Sequence, residues 1–182
     1  MYRILGFVGP SGCGKDTAAR YLAEKYPNIF HYVKLCTTRP QRNEDDNGYV
    51  FLEPQQFLEQ ILNGDMVNAQ EFNDWFYGVN KTGMDKDKIN VFPMNHEMIK
   101  QMTEPCVESN YNIKIIYIMT DDKERLIKIL QREDSPNCKE IARRYLADLE
   151  DDVKIWKDSN EAIPNHYDHT FFKILDNISD LP

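Results

Sequence analysis

Gly9-Pro10-Ser11-Gly12-Cys13-Gly14-Lys15-Asp16-Thr17 gathers three glycines and a lysine into one short stretch. These types at this spacing suit a loop whose backbone N–H groups wrap an anionic phosphate, with the Lys15 ammonium adding charge near the terminal phosphates. Gly9, Ser11, Gly12, Cys13, Gly14, Lys15, Asp16 and Thr17 are therefore the expected nucleotide-phosphate residues. One letter departs from the pattern, because Asp16 stands where a Ser or Thr hydroxyl usually holds magnesium. A carboxylate is itself a good magnesium ligand, so Asp16 and Thr17 are both candidates for the ion. Without a metal between them, Asp16 and a triphosphate would repel.

A second constellation follows. Thr37-Thr38-Arg39-Pro40-Gln41-Arg42 places two arginines three apart, ahead of the acids Glu44, Asp45 and Asp46 and then Gly48-Tyr49-Val50-Phe51. Two guanidinium groups can hold one phosphate monoester bidentately; the competing expectation is a solvated pair facing those acids. Trp75-Phe76-Tyr77-Gly78 offers rings and a hydroxyl for a phosphate or a base, with Trp75 and Phe76 expected in a local core. Asp121-Asp122 reads as a helix cap, and Asp148, Glu150, Asp151 and Asp152 as a solvated helix face. His31, His96, His166 and His169 lack ligand-like spacing.

These residues need elements to position them. Apolar runs predict buried strands over Arg3–Val8, Ile89–Met94, Asn112–Met119 and Thr170–Leu175. Helical spacing predicts helices from Asp16 to Tyr26, from Pro54 to a stop at Gly64, after Asn95 as a cap, from Asp122 to about Gln131, and from about Lys139 to about Lys157. Strands alternating with helices imply an α/β layered fold. Residues 35–83, rich in Asn, Asp, Gly and aromatics, read as a small insertion with short strands. The polar, proline-containing segment 131–138 reads as a mobile loop.

Together these segments resemble the guanylate kinase family over about residues 4–173. Gly9–Thr17 matches its glycine loop; Thr37, Thr38, Arg39 and Arg42 match its Thr-Thr-Arg-x-x-Arg element. Gly48, Tyr49 and Phe51 match the turn that follows, and Tyr77-Gly78 its second tyrosine-glycine pair. Arg132 and the Ile141-Ala142-Arg143-Arg144 element look similar to the arginine-bearing lid, with Arg132 one place off an ungapped alignment. The resemblance implies a P-loop NTPase three-layer α/β fold with a parallel central sheet, an inserted nucleoside-monophosphate-binding subdomain and a lid. The implied single domain has a core of about 1–34, 84–130 and 139–182, an acceptor-binding subdomain of about 35–83 and a lid of about 131–138. It implies that Arg39, Arg42, Tyr49 and Tyr77 bind the acceptor phosphate. Lys15, Arg132 and Arg144 would then stabilise the transferring phosphoryl group, with ATP as co-substrate and Mg2+ as the ion.

Departures cluster at the base pocket. Asn68 falls where the family presents a glutamate to guanine, Leu35 replaces a serine, and Ile89-Asn90-Val91-Phe92-Pro93-Met94-Asn95 lacks the family's aspartates. Guanine's N–H donors suit carboxylates, whereas an amide accepts one bond and donates another. The expected reaction is therefore transfer of the γ-phosphoryl of ATP to a nucleoside or deoxynucleoside monophosphate whose base need not be guanine. Lys173 stands where the family often shows an asparagine near the donor base. A sugar-phosphate kinase resembling ribose 1,5-bisphosphate phosphokinase, which also carries Gly-Lys-Asp, is one alternative. A non-catalytic guanylate-kinase-like module binding phosphorylated proteins is another, disfavoured by the intact loop with Lys15.

Bulk properties agree with small ligands. The 182 residues are 41% hydrophobic and 29% charged, as in ordinary globular proteins, and the net charge of −8 opposes a nucleic-acid polymer as partner. No apolar run reaches membrane-span length, and Cys13, Cys36, Cys106 and Cys138 show no metal-like pairing, which fits a reduced cytoplasmic setting. A monomer or homodimer is expected.

Overall fold

The computed structural model describes residues 1–41, 48–72, 74–103, 110–131 and 136–178, without side chains for 150–158. Its centre is a five-stranded parallel sheet in the order β2-β7-β1-β8-β9, formed by Phe30–Tyr32, Ile89–Pro93, Tyr2–Val8, Tyr111–Met119 and Glu161–Pro164. Continuous apolar runs build β1, β7 and β8 because both sheet faces are covered. On one face, α1 (Lys15–Lys25) and α6 (His169–Ile178) pack Ala18, Ala19, Leu22, Phe171 and Leu175 onto Leu5, Phe7, Val91 and Ile116. On the other, α3 (His96–Met102) lays Met98, Ile99 and Met102 over Ile4, Val8, Phe92 and Ile115. The result is three layers, as the resemblance implied.

The expected strand at Thr170–Leu175 is instead helix α6. Its buried residues Phe171, Leu175 and Ile178 recur at four and three, a helical period that the local apolar run concealed. Among the described residues the last strand is β9, and Asn165 follows it. Neither β9 nor β2 carries a run long enough to stand out. Elsewhere the expected helices appear, with caps to match: Asn95 accepts from the Met98 N–H, and Asp121 from those of Lys123 and Glu124. Helix α4 spans Asp122–Leu130 and α5 spans Cys138–Asp158.

A second sheet has the order β4-β3-β6-β5, with β3 at Leu35–Thr37, β4 at Tyr49–Phe51, β5 at Met66–Phe72 and β6 at Trp75–Asn80. Helix α2 (Pro54–Leu62) covers it, stacking Phe57 on Phe76. Phe76 is half-buried against the fully buried Phe57, and Trp75 is half-buried as well, so neither is the core ring expected from sequence. Leu35 and Val79 join the core beneath β7 and so tie this sheet to the central one. No helix among the described residues is long and apolar enough to cross a membrane.

Candidate active site

The glycine loop leaves the end of β1 at Val8 and enters α1 at Lys15. Gly12 and Gly14 take φ of 84° and 100°, a region costly for side chains. A Cβ at Gly14 would also lie 2.7 Å from Asn165 Nδ2, and one at Gly12 would lie 2.8 Å from Ile129 Cγ1. Gly14 caps α1 without a side-chain hydrogen bond, so the first-turn N–H groups are left for an anion. Lys15 Nζ turns back onto the loop, donating to Gly9 O at 2.6 Å and Pro10 O at 2.9 Å.

Residues that sequence reasoning missed brace this loop. Buried Asn165 donates to Cys13 O at 2.8 Å, Thr120 donates to the same carbonyl, and the Tyr167 hydroxyl donates to Gly12 O. On α4, Arg125 is 1% exposed; it donates to Asp122 at 2.7 Å and to Ser11 O at 3.3 Å. Burial opposes its charge, yet the Asp122 and Asp148 carboxylates raise its pKa overall. Each lies far from the loop in sequence, in an unremarkable local pattern. Burial pushes the Cys13 thiol pKa up despite nearby Lys15, as in an unreactive packing residue.

Asp148 overturns the expectation of a solvated acid. Its side chain is 18% exposed and accepts from Ser11 N at 2.9 Å, Ser11 Oγ at 3.2 Å and Arg125 Nη1 at 3.1 Å. The side chains of Glu150, Asp151 and Asp152 lie outside the described residues.

Asp16 has both oxygens engaged. Tyr32 donates to Oδ1 at 2.6 Å, and Arg20 Nε donates to Oδ2 at 2.6 Å, with the Arg20 guanidinium 4.6 Å from the Tyr32 ring centroid. Burial and the Asp16 bond push the Tyr32 pKa upward. Carboxylate oxygens have further lone pairs, and Asp16 is 52% exposed at the first turn of α1, followed in sequence by exposed Thr17. That donor set fits a magnesium ion that keeps several waters, as magnesium usually does.

On the second sheet, two threonines fix the arginine. Thr37 Oγ1 donates to Phe76 O and accepts from Arg39 N, while Thr38 Oγ1 accepts from Phe76 N. Arg39 is 5% exposed, not solvated as one expectation held; its guanidinium lies 5.2 Å from the Tyr49 ring and 5.5 Å from Phe51. Tyr77 meets Tyr49 edge-on at 6.2 Å. Arg39, Tyr49 and Tyr77 thus share one cluster, whereas Arg42 lies outside the described residues. Asn68, 4% exposed, sits at a register shift in β5, where its Oδ1 accepts from the Val79 N–H at 3.0 Å. Its Nδ2 is buried without a hydrogen-bond partner. The amide thus keeps a buried donor without a partner while its oxygen already accepts one bond within the β-bulge.

Helix α5 spans the two halves. Arg143 lies 5.1 Å over the Phe72 ring, and both Arg143 and Arg144 bind Glu140, at 2.7 and 2.8 Å. Arg132 lies outside the described residues. The Arg143 bond, then Arg144, pulls the Glu140 pKa from 4.5 to about 2. A depressed folded-state pKa stabilises above the ordinary value and is lost as pH falls through the folded one. Wild type is therefore expected to melt above Glu140→Gln at neutral pH and to lose that lead between pH 4.5 and 2. A lead independent of pH in thermal melts would contradict the pairing.

The described residues thus combine a glycine loop, a buried arginine flanked by half-buried tyrosines and a helix carrying arginines. A family model described as guanylate kinase matches residues 1–170. The chain belongs to the guanylate kinase family. It is 29% identical over 152 residues to a guanylate kinase of Helicobacter hepaticus, covering 79% of this chain and 72% of the relative. Against a guanylate kinase of Clostridioides difficile it is 26% identical over 180 residues, covering 96% and 85%. The crystal structure of a guanylate kinase from Anaplasma phagocytophilum shares the fold with a TM-score of 0.61 at 20% identity, covering 99% of this chain and 82% of that one. As a guanylate kinase family member the chain is a nucleotide-binding phosphotransferase with a P-loop.

Proposed function

We propose that this chain transfers the γ-phosphoryl group of ATP to a nucleoside monophosphate, giving ADP and a nucleoside diphosphate. The observation carrying this reading is the pairing of an intact Gly9–Thr17 loop with buried Arg39 and its half-buried neighbours Tyr49 and Tyr77 in one chain of this family. Loop N–H groups and Lys15 hold the donor phosphates, once Lys15 releases the Gly9 and Pro10 carbonyls. Arg39, with Arg42, Tyr49 and Tyr77, holds the acceptor phosphate, so that an acceptor oxygen faces the γ-phosphorus. Arg144, exchanging Glu140 for phosphoryl oxygens, and Arg132 supply positive charge where it is needed in the transition state. Magnesium, when bound by Asp16 and Thr17, supplies charge neutralisation on the donor phosphates. Segment 131–138 acts as a lid that excludes water during transfer. The free Cys13, Cys36 and Cys138 thiols fit a cytoplasmic location.

GMP is one acceptor, and discrimination against other bases is shallow. Asn68 is a neutral amide whose Oδ1 already accepts one bond from the Val79 N–H, Leu35 is apolar, and the Asn90 amide hydrogen-bonds Asp85 and Arg3, so none of the three offers guanine's N–H groups a carboxylate. Selection by hydrogen bonding is steep only when a buried partner would be left unpaired. A coupled ADP-release assay over GMP, IMP, UMP, dTMP, CMP, AMP and ribose 1,5-bisphosphate tests this. The expected result is kcat/KM values for GMP and IMP within about tenfold of each other. Turnover of ribose 1,5-bisphosphate alone would overturn the nucleotide reading.

Asp16→Ala, which unlike serine leaves no oxygen ligand, separates the metal from the Tyr32–Arg20 contacts. The magnesium concentration giving half-maximal rate is expected to rise severalfold. An unchanged value would confine Asp16 to holding Arg20 and Tyr32.

A further inference from the structure

One oxygen position at the lip of the glycine loop is built by two donors from different elements. Asp148 Oδ2 lies 2.9 Å from Ser11 N and 3.1 Å from Arg125 Nη1, while Oδ1 takes the Ser11 hydroxyl. Arg125 does not depend on Asp148 for its placement. Asp122 holds its Nε at 2.7 Å, Asp122 itself accepts the Tyr145 hydroxyl at 2.8 Å, and the Tyr145 ring stacks 4.7 Å from the guanidinium. A fixed backbone N–H and a fixed guanidinium converging on one point make an oxyanion site, and a phosphoryl oxygen matches a carboxylate oxygen in charge and reach.

We infer that this position is a subsite for the terminal phosphoryl oxygen of the donor nucleotide, and that Asp148 occupies it in the nucleotide-free chain. The inference rests on the ATP-donor reading above. A triphosphate laid with its middle phosphate on the uncapped N-terminus of α1 ends toward Ser11, on the β1 side of the loop, and toward α5. Three further described cations, Lys15, Arg143 and Arg144, are likewise internally satisfied: Lys15 by loop carbonyls, and Arg143 and Arg144 by Glu140. Nucleotide binding exchanges Asp148 for a phosphoryl oxygen while Arg125 stays in place. Contacts made only in the free state subtract from ligand affinity by their own worth.

Calorimetric titration with ATP and with ADP, at fixed magnesium, tests this on the full chain. Asp148→Ala is expected to bind ATP about tenfold tighter than wild type, from loss of a charge-assisted contact, with ADP affinity within about twofold of wild type. Adding Arg125→Lys to Asp148→Ala removes most of the gain, because the ammonium lacks the placed fork. ATP binding that is unchanged or weaker overturns the subsite, as does equal tightening of ATP and ADP. If the alanine variant fails to fold, Asp148→Asn gives the same comparison with a smaller gain, its amide oxygen still accepting from Ser11. Wild-type chain that binds neither nucleotide overturns the donor reading as well; nucleotide binding indifferent to residue 148 overturns the subsite alone.

Discussion

Replacing Lys15 with methionine is expected to lower kcat about 10³-fold while leaving the fold intact, since removing one preorganised charge from a phosphoryl-transfer site costs on that order. The lysine's own contacts explain why the fold survives. Its ammonium binds within the loop, to the Gly9 and Pro10 carbonyls and more loosely to the Cys13 sulfur, a contact at the edge of one hydrophobic cluster that the fold can lose. Methionine keeps the apolar stem. Steady-state kinetics beside a thermal melt check both halves of the expectation. A variant that unfolds, or one that keeps more than about a tenth of wild-type kcat, would contradict the role.

The second large effect falls on the acceptor side. Arg39→Lys is expected to raise the acceptor KM about 30- to 100-fold with the ATP KM nearly unchanged, because a lysine cannot reproduce a bidentate, ring-stacked guanidinium. The position is prepared by neighbours: Thr37 bonds the Arg39 N–H, and Tyr49 and Phe51 lie against the guanidinium face. An equal rise in both KM values would indicate a general structural loss instead. The free-energy equivalent, about 2 to 3 kcal/mol, is what one strong charge-assisted pair supplies.

These two residues were legible in the sequence because each lies in a contiguous motif. The loop, the end of β1 and the start of α1 are neighbours along the chain, so spacing alone places them. The threonine–arginine element likewise carries its own scaffold, since Thr37 and Thr38 bond across to β6. The missed features have no such local signature. Asp148 and Ser11 are 137 residues apart, and only folding turns an acidic helix position onto a backbone N–H. Arg125 reads as one more charged helix residue until α4 is packed against the loop. Asn68 shows the converse: the resemblance aligned it with the base pocket, but only the folded β5–β6 pair shows its oxygen accepting from Val79 at a β-bulge. The misplaced last strand has a periodic cause, since Phe171-Phe172 beside Ile174-Leu175 presents an apolar run in either period. Only the burial of Phe171, Leu175 and Ile178 decides for the helix, and Asn165, which braces the loop, lies ahead of it.

The most direct test follows the phosphorus atom. With ATP labelled in its γ-phosphate and GMP as acceptor, the label is expected in GDP, one GDP for each ADP formed, and Lys15→Met should abolish its transfer. Label that stays in ATP, or appears only as inorganic phosphate, with every nucleoside monophosphate supplied would contradict the account.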